Sequence, residues 1–392
     1  MSEQPLSGVT VVDLTHYIAG PFCTKLLAGM GAEVIKIERP ATGDPARTMG
    51  PFPKDSPDSE QSGTFLYLNT AKKSVTLNLK TATGVKIFKK LVKQADVVVE
   101  NFEPRVMPGI GLGYDTLASI KPGLVMTSIS NFGQTGPYRD YRAEEVIILA
   151  MAGFTYLGGD PEREPLNKGF AASQYMGGLS GFTGTMAALH YAEQTGIGQQ
   201  VNISLMECIA SSHFQAVMQY TYTGEVLNRN RAMLGFPCKD GVVHLAVQPH
   251  HWPRLIEMLG MPELLEDPRF KTTEDRQNHA EELETLFLPW MMEHSMVEIY
   301  ELGQAVGMPI GYAATTENLF NSTQYRARGF FVDIDHPRTG TLTYPGTAVH
   351  MGDLPWQHGR APLLGEHNEE ILSDRLGYTR EDLIRLKARR II

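Results

Sequence analysis

Cysteine is scarce in this sequence. The three residues present, Cys23, Cys208 and Cys238, are widely spaced and form no Cys-x-x-Cys pair. This usage argues against a disulfide framework and against a zinc site, and it is typical of proteins of a reducing cytoplasm. No run of about 18 uncharged apolar residues occurs, and the first residues lack the basic and apolar regions of a signal peptide. We therefore expect a cytoplasmic protein without a membrane-spanning helix or a metal centre.

A glycine-rich phosphate-binding loop is also missing. Neither G-x-G-x-x-G nor G-x-x-x-x-G-K occurs, which argues against a simple NAD enzyme. The net charge of −9 argues against nucleic acid as the main partner. His250 and His251 have no spaced carboxylate or third ligand, so we interpret them as a turn before the next helix.

The composition, with 42% apolar and 20% charged residues, is that of a globular protein, and 392 residues predict two domains. Residues 8–14 form an apolar run typical of a buried strand, residues 21–30 a helix and residues 33–38 a second strand. This β-α-β beginning predicts a parallel, doubly wound α/β sheet. The alternation continues through helices at 84–94 and 114–120 and strands at 96–100 and 124–129.

Later segments differ in amino-acid composition. Small residues dominate residues 179–193, which predicts a helix packed closely against other backbone. Residues 40–63 are rich in Pro, Gly, Asp and Ser and predict a long surface loop, of a kind that often covers a functional site. Residues 223–330 predict a smaller α+β domain. Further elements are predicted as a strand at 200–205 and helices at 366–377 and 380–387.

Several separated segments carry a family resemblance. They are Val12–Pro21, Gly31–Arg39, Asn69–Ser74, Asp96–Phe102, Gly133–Pro137, Thr195–Gln199 and Arg360–His367. In this order they resemble the family III CoA-transferases, the formyl-CoA transferase-like (CaiB/BaiF) superfamily. The resemblance implies a Rossmann-like large domain built from residues 1–222 and 331–392, the small domain at 223–330, and an intertwined dimer. It also implies coenzyme A or an acyl-CoA as substrate rather than a tightly bound cofactor, together with a carboxylic acid.

The same resemblance implies a coenzyme A site. Its contact positions fall on His16, Arg39, Lys72, Asn101 and Phe102. Arginine and lysine offer charge-assisted hydrogen bonds to phosphates, and an aromatic ring can pack on adenine. Structural interpretations stay open: Arg39 as a charge at a strand end, Asn101 and Phe102 as a turn and a core aromatic, and His16 as a capping or core histidine.

Gln174 stands where the family carries its nucleophilic Asp. By resemblance, that carboxylate attacks the acyl-CoA thioester to give an enzyme-bound anhydride and then an enzyme thioester. A side-chain amide cannot replace it. Two positions at which some members contact CoA through a basic residue are Gly109 and Tyr141 here, with Arg105 as a nearby candidate replacement.

Glu144 and Glu145 are candidates for different chemistry. In the racemase branch of the superfamily a His and an Asp exchange the α-proton of an acyl-CoA, and their positions fall near Glu144 and at Gln174, so the usual pair is absent. A carboxylate beside a thioester could act as a general base if burial raised its pKa. Equally, Glu144 fits the N-terminus of a helix, where the macrodipole favours it.

Three hypotheses follow from these residues. The preferred one is a nucleophile-lacking subunit that supports a homologous Asp-containing chain, as in two-subunit transferases acting on benzylsuccinate-like acids. The second is an acyl-CoA lyase, isomerase or racemase that uses Glu144 or Glu145, with Gln174 donating a hydrogen bond to the thioester oxygen. The third is a homodimeric, non-catalytic CoA-binding scaffold. The first is preferred because CoA-contact positions differ together with the nucleophile.

Overall fold

The protein forms two compact units. The structure, a computed structural model, describes residues 4–167, 169–229 and 235–392. The first unit contains the residues up to Gly158, Pro165–Leu227 and Gly329–Ile392, and the second contains Gly159–Glu164 and Asn228–Arg328. The first unit is thus built from chain segments that lie before and after most of the second.

A six-stranded parallel sheet forms the centre of the first unit. Its strands are β1 (Thr10–Asp13), β2 (Glu33–Glu38), β3 (Lys73–Thr76), β4 (Val97–Glu100), β5 (Val125–Ser130) and β6 (Gln200–Ser204). Their spatial order is β3-β2-β1-β4-β5-β6, and every neighbouring pair is parallel. This confirms the predicted α/β fold with a parallel sheet. The strand order reverses between β1 and β4, which is where doubly wound folds place their ligands.

Nine helices follow the strands of this sheet in the described ranges, and several of them cover its two faces. They are α1 (Ala19–Gly29), α2 (Gly63–Leu68), α3 (Ala82–Val92), α4 (Val106–Gly109), α5 (Tyr114–Ile120), α6 (Glu145–Met151), α7 (Ala172–Thr195), α8 (Leu205–Ser212) and α9 (Phe214–Thr223). Successive strand residues point to opposite faces. Val12 of β1 therefore joins one buried cluster with Phe88 of α3, and Val11 joins the other with Leu27 of α1.

Helix α7 begins earlier than the predicted range 179–193. It starts at Ala172, which brings Gln174 into its first turn, and it ends before Gly196 in the left-handed conformation. Its N-terminal half lacks a stripe of large apolar residues, because glycines such as Gly178 pack directly against neighbouring elements. A Cβ on Gly178 would lie 2.5 Å from the carbonyl oxygen of Ala19 in α1. The pattern of large apolar residues therefore could not indicate this part of the helix.

Residues 40–63 were predicted to form a long surface loop, and the structure corrects this for the first part of the segment. Arg47 is fully buried and donates to both carboxylate oxygens of Glu38, at 2.7 and 2.8 Å. Asp44 is also buried, with a carboxylate oxygen 2.8 Å from the Lys36 ammonium. Because these ion pairs attach the segment to β2, its polar residues are internal anchors.

The second unit is a small α+β unit. Its antiparallel strands are β7 (Phe236–Cys238), β8 (Gly241–Leu245) and β9 (Ile310–Tyr312). Its helices are α10 (Trp252–Leu259), α11 (Thr273–Asn278), α12 (Ala280–Glu293), α13 (Met296–Ala305), α14 (Thr316–Asn321) and α15 (Thr323–Ala327). It has its own core, which includes Trp252 and Phe287. His250 and His251 occupy a 3₁₀ turn that leads into α10.

The last segment of the chain belongs to the first unit and packs against the rest of it. Its elements are the hairpin β10 (Phe331–His336) and β11 (Gly340–Pro345), a π-helical stretch (Glu369–Arg375) and α16 (Arg380–Ala388). The backbone N–H of Thr76 in β3 donates to the Asn368 side chain at 2.8 Å. Ile371 and Ile391 join the same buried cluster as Phe88. This segment therefore completes one face of the sheet.

Candidate functional site

A cavity of about 400 Å³ lies at the carboxyl edge of the sheet, around the point where the strand order reverses. Its walls come from the segments that follow β1, β4 and β5 and from the first turns of α6 and α7. The lining residues include Tyr17 after β1, Asn101 and Phe102 after β4, and Asn131 after β5. This placement is the one expected for a ligand site in a doubly wound sheet.

Gln174 lines this cavity from the first turn of α7. Its side chain is half-buried and makes no hydrogen bond to the described part of the chain. Glu144 and Glu145 line the same cavity. The structure therefore brings the amide and both candidate carboxylates to one site.

The two glutamates have different surroundings. Glu145 accepts a hydrogen bond from the backbone N–H of Ser173 at 2.8 Å and a second, short one from the Ser173 hydroxyl. It thereby binds the N-terminal end of α7, directly beside Gln174. Glu144 is exposed, precedes α6 and makes no side-chain capping bond. Glu145 is thus engaged in holding the helix, whereas Glu144 is available.

Asn101 joins two walls of the cavity. Its side chain accepts from the backbone N–H of His16 and donates to the His16 carbonyl oxygen, both at 2.8 Å. The ring of Phe102 meets the His16 ring edge-on, with centroids 5.2 Å apart. His16 is itself buried, and this burial lowers its pKa to about 4, so its ring is neutral at neutral pH. His16 supports the wall from behind, while Asn101 and Phe102 line it.

Lys72 lies inside the fold. Its ammonium, with three N–H donors, lies within hydrogen-bond distance of four oxygens, which are those of Asp13 (3.0 Å), Thr24 (2.7 Å), Asn69 (2.8 Å) and the Pro21 carbonyl (3.0 Å). Burial lowers its pKa to about 8, opposed by the Asp13 charge. With its side chain buried and its donors used, Lys72 offers no surface to a ligand. This geometry favours a structural role over the predicted CoA contact.

Arg39 is exposed immediately after β2 and does not line the cavity. Arg105, the candidate replacement for a basic CoA contact, donates from Nε to Asp140 at 2.9 Å on the surface. Tyr141 lines the cavity, and its ring stacks on that of Tyr138 with centroids 5.1 Å apart. Among the predicted positions, therefore, the cavity gathers Gln174, the two glutamates, Asn101 and Phe102, but not His16, Arg39 or Lys72.

Two residues that lie on or below the cavity wall were not predicted. Arg139 reaches the cavity from the loop between β5 and α6. Glu100 ends β4 just below the wall, where it accepts from the Phe102 backbone N–H at 2.9 Å, and burial raises its pKa to about 7. The signal for Glu100 was its position directly before Asn101, at the end of a predicted strand. Arg139 lies in an irregular loop, and no pattern indicated its direction.

In the described ranges, no group of three or more His, Cys, Asp or Glu residues could hold a metal ion. None of the helices in those ranges has the length and apolarity needed to cross a bilayer.

Comparisons with known proteins agree with this architecture. A family model described as CoA-transferase family III matches residues 6–368. The chain is 34% identical to succinyl-CoA--D-citramalate CoA-transferase of Chloroflexus aurantiacus, over 99% of this chain and 98% of that one. It is 33% identical to the succinyl-CoA--L-malate CoA-transferase beta subunit of the same organism, with the same coverage. A CAIB/BAIF family protein from Brucella suis superimposes with a TM-score of 0.85 at 29% identity, covering 95% of this chain and all of that one.

Proposed function

Because the chain belongs to CoA-transferase family III, we propose that it is the nucleophile-lacking subunit of a two-subunit transferase that handles an acyl-CoA and a carboxylic acid. The observation that carries the proposal is Gln174, whose amide lines the cavity where the family's transfer chemistry calls for a carboxylate. A relative named as a beta subunit supports an assembly of two kinds of chain.

The chemistry of the amide supports the assignment of the nucleophile to a second chain. Acyl transfer through an enzyme-bound anhydride needs an ionised oxygen that attacks the thioester carbon. The Gln174 amide has no such oxygen, but its N–H can donate to a thioester carbonyl. In the proposed complex the nucleophile comes from a homologous Asp-containing chain, and this chain contributes binding and structure.

The coenzyme A site is assigned to the cavity and the exposed surface beside it. Asn101 and Phe102 present a polar group and an aromatic face in the wall. Arg39 is the proposed contact for a phosphate, since it is exposed and a guanidinium binds phosphate well. We assign His16 and Lys72 to the support of this surface. Coenzyme A acts as a substrate that enters and leaves.

An apolar surface on the first unit supports association with a second chain. None of the ten residues of α9 is buried, although the helix carries Phe214, Val217 and Tyr222. The exposed fraction of the Tyr222 side chain is 81%. Large apolar groups gathered on an exposed helix are typical of an interface. We propose that a second chain, in the intertwined arrangement of the family, covers α9.

Replacing the amide with a carboxylate tests the proposal. With an acyl-CoA and an acid supplied, Gln174→Asp should gain transferase activity over the wild-type chain alone, because it acquires the missing nucleophile. Hydroxylamine should then convert the introduced carboxylate into a hydroxamate during turnover, which mass spectrometry detects. Gln194→Asp, on the exposed part of the same helix, is the matched control and should gain neither property.

Calorimetric titration with CoA shows whether an inactive Gln174→Asp variant still binds the ligand. If Gln174→Asp binds CoA as the wild type does yet stays inactive, the proposal fails. Turnover by the purified wild-type chain with a modified Gln174 would contradict it equally. Recovery of the chain from its source in complex with a homologous Asp-containing chain is the expected positive result.

A second candidate function is favoured by the availability of Glu144. Its carboxylate lines the same cavity as Gln174 and makes no side-chain capping bond, so it is available as a general base for an acyl-CoA lyase, isomerase or racemase. Glu144 is exposed in the single chain, so in this candidate the burial that activates it comes from the bound substrate or a second chain. Turnover of acyl-CoA by a homodimer, abolished in Glu144→Gln, would establish this candidate. CoA binding without any turnover, alone or with a partner chain, would instead indicate a binding scaffold.

A further inference from the structure

The charges around the cavity are unequal. Four carboxylates line it, those of Glu103, Asp140, Glu144 and Glu145. Among the described residues that line it, Arg139 alone carries a positive charge. An anionic group that enters this cavity is therefore repelled by most of the wall and attracted at one position.

The Arg139 guanidinium has an N–H donor that remains available for a ligand. Its Nε is buried without a hydrogen-bond partner in the described structure, and Asp140 lies 3.5 Å away. Asp140 is held more closely by Arg105, at 2.9 Å. Since Asp140 is shared and Glu145 is bound to Ser173, neither carboxylate saturates Arg139.

The loop that carries Arg139 is closed and packed. The Asn131 side chain donates to the Ala143 carbonyl oxygen at 2.9 Å, which joins the two ends of the loop. The Tyr138 ring meets Phe132 edge-on at 5.8 Å and stacks on Tyr141. The guanidinium is therefore presented at the cavity by a fixed loop, as a specificity-determining group needs.

We propose that Arg139 determines substrate specificity by holding the free carboxylate of an acyl group derived from a dicarboxylic acid. This inference rests on the proposed function. In such an acyl-CoA the thioester end is neutral, so it can face Gln174 and Glu144 without repulsion. The far end keeps one negative charge, and a guanidinium fork matches a carboxylate with two parallel hydrogen bonds. The single cation and the acidic wall together set the orientation of the substrate.

The test compares two acyl-CoA ligands of equal length, succinyl-CoA and butyryl-CoA, which differ by a carboxylate in place of a methyl group. Dissociation constants are measured by calorimetry, with free CoA and free succinate as further ligands. The wild type should prefer succinyl-CoA over butyryl-CoA by about tenfold or more, because only succinyl-CoA carries a carboxylate that accepts charge-assisted hydrogen bonds from the guanidinium. Arg139→Gln should lose this preference while its affinities for butyryl-CoA and CoA stay within about twofold.

Arg142→Gln is the matched control, since Arg142 is an exposed arginine of the same loop that does not line the cavity; it should keep the preference. An equal loss of affinity for all CoA ligands in Arg139→Gln would assign Arg139 to the coenzyme and overturn the inference. If the wild type binds no CoA ligand, the proposed function fails, and succinate binding that depends on Arg139 would still support the inference. Succinate binding without that dependence would overturn it.

Discussion

Glu100 is a buried acid at the base of the cavity wall, and only 3% of its surface is exposed. Its carboxylate accepts from the Phe102 backbone N–H and so fixes the turn that carries Asn101 and Phe102. Burial disfavours the charged form and raises the pKa of Glu100 from 4.5 to about 7. In the unfolded chain the same group ionises near its ordinary pKa. The site therefore contains a charge that opposes folding at neutral and higher pH.

Glu100→Gln should stabilise the protein in a pH-dependent way. Between pH 4.5 and about 7 the unfolded state loses the Glu100 proton first, so wild-type stability falls as pH rises, and above about 7 the loss is complete. The amide keeps an acceptor for the Phe102 N–H without the charge. We expect a gain of up to about 3 kcal/mol at pH 8 and little gain at pH 4.5, since one pKa unit corresponds to about 1.4 kcal/mol. Urea unfolding at the two pH values measures this.

Glu103→Gln is the control for this pH effect. Glu103 is an exposed acid three residues further along the same wall, so its replacement should change stability about equally at both pH values. A gain for Glu100→Gln that did not depend on pH would contradict the assignment of a raised pKa.

At the scale of elements, the placement of Gln174 depends on how closely α7 approaches α1. Gly178 is one turn beyond Gln174, and its missing side chain lets the Ala19 carbonyl oxygen come near; an added Cβ would be only 2.5 Å away. At the other end of the turn, Glu145 binds Ser173. The first turn of α7 is thus held between α1 and α6, which fixes the amide in the cavity.

Gly178→Ala should disturb this arrangement. The added methyl group meets backbone rather than a flexible side chain, so we expect a destabilisation of about 1–3 kcal/mol and a weaker affinity for CoA ligands. Gly109→Ala in α4 is the control, because no heavy atom lies within 4 Å of its added Cβ. Thermal unfolding and calorimetry report the two effects. Equal stabilities of the two variants would show that α7 can move away at no cost.

The same elements show what a sequence can predict. Strand β2 and helix α5 have the predicted bounds, because buried apolar runs and amphipathic spacing are local signals. The start of α7 was missed because its contacts use glycines. The anchoring of residues 40–63 was missed because a buried Arg47 requires Glu38 opposite it, and composition alone indicates an exposed loop. The direction of Arg139 likewise depends on the tertiary structure of an irregular loop.

At the scale of the whole molecule, a single chain leaves the apolar side chains of α9 exposed to water. Burial of these side chains against another chain would be favourable by roughly 25 cal/mol for each Å² of apolar surface removed from water. The proposed association through α9 would remove these side chains from water, and its loss is then expected to separate the chains.

Val217→Asp should shift the protein towards single chains. Val217 is 54% exposed, so the fold of the chain should tolerate the change, while a buried charge at an interface weakens association by about a hundredfold or more. Light scattering after size exclusion, over a range of concentrations, measures the shift. Ile384→Asp, at an exposed position in α16, should leave the assembly unchanged. Identical masses for both variants and the wild type would exclude α9 from the interface.

The packing of Ile371 and Ile391 beside Phe88 has a consequence for biosynthesis. During translation, all six parallel strands are synthesised long before Ile371 and Ile391, which cover one face of the sheet. The second unit, whose core lies within residues 228–328, is translated in the interval. One face of the sheet therefore stays exposed until the last residues have been synthesised. A chain truncated before Ile371 would keep this apolar face exposed, and we expect proteases to degrade it.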